Sequence, residues 1–114
     1  MPSTETPIAP TIDDAGAQIQ NVIDHVKAQI AHAKKDIADH NQELIDRTVI
    51  FATDVAAAKP AKRDQLIAEH NQYVASHGPR LEYLEHELAR LEAELKRLER
   101  QLYALLNQQD EPLV

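Results

Sequence analysis

A leucine repeat near the C-terminal end decides the fold. From Leu81 to Leu106 the chain reads LEYLEHELARLEAELKRLERQLYALL. Leucines recur there at alternating spacings of three and four residues, the pattern of the a and d positions of a coiled coil. The stretch therefore predicts a helix over about residues 79–106 that packs against another helix. The repeat consists of Leu81, Leu84, Leu88, Leu91, Leu95, Leu98, Leu102 and Leu105.

Glutamates flank this leucine repeat on both sides. A second copy of the same helix would bring like charges together, and each such pair is unfavourable. The pattern thus favours a partner helix with basic flanks. The flanking glutamates are Glu85, Glu87, Glu92, Glu94 and Glu99.

The N-terminal half of the chain supplies such a partner. Apolar residues recur from Ile19 to Val55 at the 3.6-residue period of an α-helix. Pro60 should end this helix, because proline removes a hydrogen-bond donor and restricts the residue before it. Folding the chain back at 59–60 places Leu91 against Val26. The same pairing places Lys27 beside Glu92 and Lys34 beside Glu85.

We therefore expect an all-α protein, a long antiparallel helical hairpin that resembles a coiled coil. Its helices should cover about 11–58, 61–76 and 79–106, with the second arm broken or kinked at Gly78-Pro79. A compact three-helix bundle is the alternative.

Histidines fall on the predicted seam between the two arms. The pairing sets His77 opposite Asn41 and His70 opposite Thr48, either as polar layers within the seam or with side chains that reach solvent. A short repeat is also present, since IADHNQ at 37–42 resembles IAEHNQ at 67–72.

The two ends of the chain differ from the helical part. Residues 1–10 contain three prolines and predict an extended arm, and 107–114 predict a polar tail. The N-terminal segment lacks the basic and apolar regions of a signal peptide. No apolar run approaches the roughly 18 residues of a membrane span. We therefore expect no membrane partner, and a cytoplasmic location or a place in a virion-type assembly.

The composition argues against an enzyme. The 114 residues include two glycines and no cysteine, which leaves out thiol chemistry and glycine-rich phosphate loops. The chain has no Glu-x-x-His motif, and its best acidic cluster with a histidine, Asp36, His40 and Glu43, is expected to be solvated. We expect no catalytic residues, cofactor or metal.

Several apolar residues lie off the seam and would be exposed on a lone hairpin. Together with the leucine repeat they form the predicted partner-binding set. We expect a structural or adaptor subunit that docks into a multi-chain assembly, with another protein or a second copy as partner. The alternative is an acidic inhibitor of a nucleic-acid-handling enzyme, since the net charge is -7. We do not expect direct nucleic-acid binding. The off-seam residues are Val22, Ile45, Val49, Ile50 and Leu106.

Overall fold

Two long α-helices form an antiparallel hairpin. The computed structural model describes residues 12–110, with α1 at Ile12–Ala57 and α2 at Pro60–Asp110. No strand occurs within 12–110. The predicted all-α hairpin is confirmed. The N-terminal arm (1–10) and the last four residues of the predicted tail lie outside the described part of the chain.

Ala58 and Lys59 connect the two helices. The backbone N–H of Arg63 donates to the carbonyl of Lys59 at 2.9 Å, which starts the hydrogen-bond ladder of α2. The Arg63 side chain donates from Nε to the carbonyl of Val55 at 3.2 Å. The same carbonyl accepts from the backbone N–H of Ala58 at 3.3 Å, so two donors cap the last turn of α1. Pro60 opens α2, a position where its missing N–H costs little.

The second arm is one helix. α2 runs through Gly78 and contains Pro79 in its interior, where a proline usually bends a helix, so the kinked form of the expectation fits. No described glycine has a positive φ, so Gly78 does not form a left-handed cap. The predicted division into helices 61–76 and 79–106 is therefore wrong, as is the three-helix alternative. Residues on both sides of the proline, His77 and Leu84, pack inward, and this packing offsets the lost hydrogen bond.

The chain divides into two compact units. The turn unit is Ile30–Arg90, and the terminal unit comprises the described residues before Ile30 and after Arg90. In the terminal unit the two helices bury a small apolar core. Gly16 is also buried there, and a Cβ on it would meet Leu102 at 3.8 Å. The core consists of Ile23, Val26, Leu91 and Leu98.

The seam of the turn unit has a different chemistry. Ile30 is its only buried apolar residue within the described part of the chain, and the other buried side chain is His77. Phe51, His70 and Tyr73 are half-buried along the same seam. The leucine repeat thus packs most tightly in the terminal unit, and rings replace it towards the turn.

Candidate functional site

Two histidines form a reciprocal pair across the seam of the turn unit. Nε2 of His40 lies 3.1 Å from the carbonyl oxygen of His77, and Nε2 of His77 lies 3.2 Å from the carbonyl oxygen of His40. The rings stack with centroids 3.9 Å apart and planes 3° from parallel. A carbonyl oxygen only accepts hydrogen bonds, so each Nε2 must carry the proton.

This pair confirms the predicted polar layer at His77 but corrects its partner. Asn41, the expected partner, is exposed. Successive residues of an α-helix point about 100° apart, so when His40 faces the seam, Asn41 points to one side of it, towards solvent. His77 is only 6% exposed, and the expectation that it reaches solvent is wrong.

A row of rings continues from this pair towards the turn. His70 stacks on Phe51 with centroids 4.1 Å apart, and Tyr73 lies 6.4 Å from both His70 and His77. The predicted pairing of His70 with Thr48 is therefore wrong, and Thr48 is exposed. An aromatic ring stacks on the imidazole instead, which buries the flat faces of both rings against each other.

Arg47 covers the outer side of this row. Its guanidinium carbon lies 4.3 Å from the centre of the Tyr73 ring, within cation–π range. Its Nε lies 3.2 Å from a carboxylate oxygen of Glu43. Beneath it, the Tyr73 hydroxyl is buried and has no hydrogen-bond partner among the described residues. This lone polar atom is an energetic weakness of the seam.

The two sides of the turn unit differ in charge. One side, here the charged face, carries two shallow depressions. The first is lined by Arg47, Asp54 and Glu69 together with Ile50, Leu66 and rings of the aromatic row. The second is lined by Asp36, Asp39, His40, Glu43, Arg80 and Leu84.

The opposite side has no charged residue in its middle part. Because each helical step turns about 100°, the residue before and the residue after a seam residue point to opposite sides. Ile50, before Phe51, lines a depression of the charged face, so Ala52 lies on the other side. This second side, here the uncharged face, consists of Asn41, Ile45, Thr48, Val49 and Ala52 on α1 and Ile67, Asn71, Val74 and Gly78 on α2. All nine are exposed.

The short sequence repeat follows this division. Asp39-His40-Asn41 and Glu69-His70-Asn71 each run from the charged face through the seam to the uncharged face. Both acids line depressions and both histidines stack on a ring of the facing helix. The repeat therefore places an acid, a histidine and an asparagine at equivalent positions on the surfaces of α1 and α2.

Gly78 stands out on the uncharged face. Its φ is not positive, so its backbone does not require glycine. Apart from its two chain neighbours and the nearby backbone of its own helix, a Cβ added to it would meet no atom within 4 Å. Glycine within a helix costs up to about 1 kcal/mol relative to alanine. Pro79 offsets part of that cost here, because a proline ring clashes with the Cβ of the residue before it in a helix.

The predicted partner-binding residues divide between seam and surface. Leu91 and Leu98 are buried, and the other six leucines of the repeat are half-buried in the seam. The five off-seam residues, Val22, Ile45, Val49, Ile50 and Leu106, are 45–61% exposed. They do not share one surface, because Ile50 lies on the charged face while Ile45 and Val49 lie on the uncharged face.

Sequence reasoning missed the α2 half of the uncharged face. Ile67 and Val74 are 40% and 43% exposed. They are seven residues apart, with Asn71 between them and Gly78 beyond, which is the three-and-four spacing of a helix stripe. This spacing could have identified the α2 half of the face from the sequence.

Ion pairs form within single helices. Lys35 and Asp39 on α1 approach to 2.6 Å, and this hydrogen bond raises the pKa of the Lys35 ammonium. Arg90 on α2 donates to Glu87 and lowers the pKa of that carboxyl. Both pairs join residues three or four positions apart, which are neighbours on a helix surface.

A similar pair lies one heptad after Glu87 and Arg90. Arg97 donates to Glu94 there, and the hydrogen bond raises the pKa of the guanidinium. Neither the predicted pair Lys27–Glu92 nor the pair Lys34–Glu85 is among the ion pairs of the described residues. Exposed charges gain little from reaching across the seam, because water screens them.

The described residues hold no group of three or more histidine and carboxylate side chains suited to a metal ion. Neither helix, over the range 12–110, has a stretch long and apolar enough to cross a membrane. Comparison with protein-family models, with curated proteins and with solved structures found no match to this chain.

Proposed function

We propose that the protein is a non-enzymatic structural or adaptor subunit that docks into a multi-chain assembly through the uncharged face of its turn unit. The observation that carries this proposal is the contrast between the two sides of that unit. Four large aliphatic side chains are exposed on a side whose middle part lacks charge, whereas the depressions on the other side include charged residues in their lining. An exposed apolar surface of this kind is characteristic of interaction sites.

Adjacent residues provide a matched test of this proposal. Val49 and Ile50 are 61% and 60% exposed and lie on opposite faces. A photo-crosslinking amino acid is placed at one position or the other in the full chain, expressed in its native cells. We expect adducts with a second polypeptide from Val49 and few from Ile50. Equal adducts from both positions, or none from Val49, would contradict the proposal.

An acidic inhibitor of a nucleic-acid-handling enzyme is the second candidate. It is favoured by Glu85, Glu92 and Glu99, three exposed carboxylates at seven-residue spacing on α2 without ion-pair partners among the described residues. The neighbouring Glu87 and Glu94 are neutralised by arginines. This candidate predicts that added salt weakens binding to a basic partner and that reversing Glu92 to lysine weakens it further. Binding that is unaffected by added salt and by Glu92→Lys would contradict the inhibitor role.

A further inference from the structure

We propose that the occupant of the uncharged face is a second copy of this chain, packed antiparallel so that Val74 of one copy meets Val74 of the other. The proposal rests on the proposed function, since it names the partner for the same face. Three features of the face support it: the arrangement of its charges, its size and its glycine.

One pair of oppositely charged residues, at the two ends of the face, is brought together in this arrangement. Arg63 and Glu85 lie eleven residues before and after Val74, which is close to three helical turns, so both lie on nearly the same side of α2 as Val74. A two-fold axis through Val74 places Arg63 of each copy over Glu85 of the other. The same axis places Ile45 near Ile45, because Ile45 lies level with Val74 on α1. Between Ile67 and Gly78 only uncharged side chains meet, and Asp64 and Glu82 lie at the outer edge of the face.

The size of the face suits a stable pair. Residues 63–85 of α2 span about 33 Å at 1.5 Å per residue. Two adjacent helices present a surface about 20 Å wide. Contact over this surface would remove about 600 Å² from each copy, and the total reaches the lower end of the range for specific interfaces.

Gly78 has a structural role in this arrangement. An antiparallel pair of α2 helices about Val74 places Gly78 of one copy between Asn71 and Ile67 of the other. A residue without a side chain there allows the two helices to approach closely, as small residues do at other helix contacts. The open space above Gly78 in the single chain is then filled by the second copy.

Light scattering on a sizing column, with the full chain at micromolar concentration, tests this inference. We expect twice the mass of one chain. Gly78→Leu should raise the dimer dissociation constant at least ten-fold, because the added side chain would hold the two α2 helices apart. Ala68→Leu is the control, since Ala68 is exposed on α2 on the side away from α1. Circular dichroism verifies that both variants remain helical.

The absence of cysteine allows the direction of packing to be tested. Val74→Cys should form an intermolecular disulfide under mild oxidation, because the two positions meet at the axis. Glu85→Cys should not, because its two copies are about 33 Å apart along the helix.

The possible outcomes separate this inference from the proposed function. A monomer at micromolar concentration, or a dimer that is indifferent to Gly78→Leu, overturns the second copy as occupant. If the monomer still gives adducts with another protein from Val49, the docking role stands with a different partner. A monomer that gives no adducts from Val49 removes both.

Discussion

Each ring of His40 and His77 donates a hydrogen bond to the backbone of the other residue, so neither bond forms without the other helix in place. Replacing either residue by alanine removes both the stacking and one donor. We expect each single change to cost about 1–2 kcal/mol and the double change to cost less than their sum by about 1 kcal/mol. Urea unfolding followed by circular dichroism measures these values. His86→Ala, at an exposed site on α2, should have little effect. Strict additivity would show that the two rings do not act as a pair.

The core of the terminal unit should be sensitive to truncation. Leu91 is 8% exposed and belongs to the same core as Val26. Leu91→Ala should lower the free energy of unfolding by about 2–5 kcal/mol, because it leaves a cavity between two rigid helices. Leu106→Ala, at a position 45% exposed, should cost clearly less. Equal losses from both changes in urea titrations would argue against this core.

The buried hydroxyl of Tyr73 should be dispensable for stability. It lacks a hydrogen-bond partner among the described residues, while its ring carries the contact with Arg47. Tyr73→Phe keeps the ring and removes the unpaired polar atom, so we expect a gain of about 1 kcal/mol in the free energy of unfolding. Tyr83→Phe, at an exposed tyrosine, should change little. A large loss from Tyr73→Phe would mean that the hydroxyl has a partner in solution.

The proline within α2 should limit the stability of the hairpin. Pro79→Ala restores a backbone donor and removes a ring that crowds the preceding turn. We expect the change to stabilise the protein by about 1–3 kcal/mol, read as a higher thermal midpoint. Pro60→Ala is the control, because a proline at the first helical position is already well tolerated. A fall in the midpoint for Pro79→Ala would show that the bend is needed for packing.

The pair formed by Glu87 and Arg90 should make a contribution that depends on pH. The hydrogen bond from Arg90 lowers the pKa of Glu87 in the folded chain relative to the unfolded chain. The contribution is thus present above the unfolded-state pKa and is lost as the pH falls through the folded-state value. Arg90→Gln should return this pKa towards its ordinary value in an NMR titration of the side-chain carboxyl. An unchanged titration would show that the pair is not formed in solution.

The sequence was sufficient for the hairpin because two strong signals agreed. The leucine spacing required a helix from Leu81 onward, and Pro60 fixed the end of the first helix. Together these determined which helices pair and in which direction. The position of the connection at Ala58 and Lys59 then set the overall pairing to within a few residues.

Two features were not predictable from local rules. Pro79 is a strong helix-ending signal, so the sequence left open whether the second arm breaks or only kinks there; α2 continues through it, because the seam residues on both sides pack inward. His77 pairs with His40 and not with Asn41 because the register of α1 against α2 differs by one residue from the predicted one. Apolar spacing alone does not resolve that shift, because both positions border the seam.

The placement of the tightest packing has a consequence for the order of folding. Contacts near the connection, such as the Arg63 side chain with Val55, join residues eight apart and close small loops. Packing in the terminal unit brings together residues from nearly opposite ends of the chain, such as Gly16 and Leu102, whose side chain lies 3.8 Å from where a Cβ of residue 16 would be. Short loops close at lower entropic cost, so pairing should begin in the ring-lined seam and spread outward. The contacts of the buried leucines would then form last. Replacing these leucines would mainly speed unfolding and would slow refolding little.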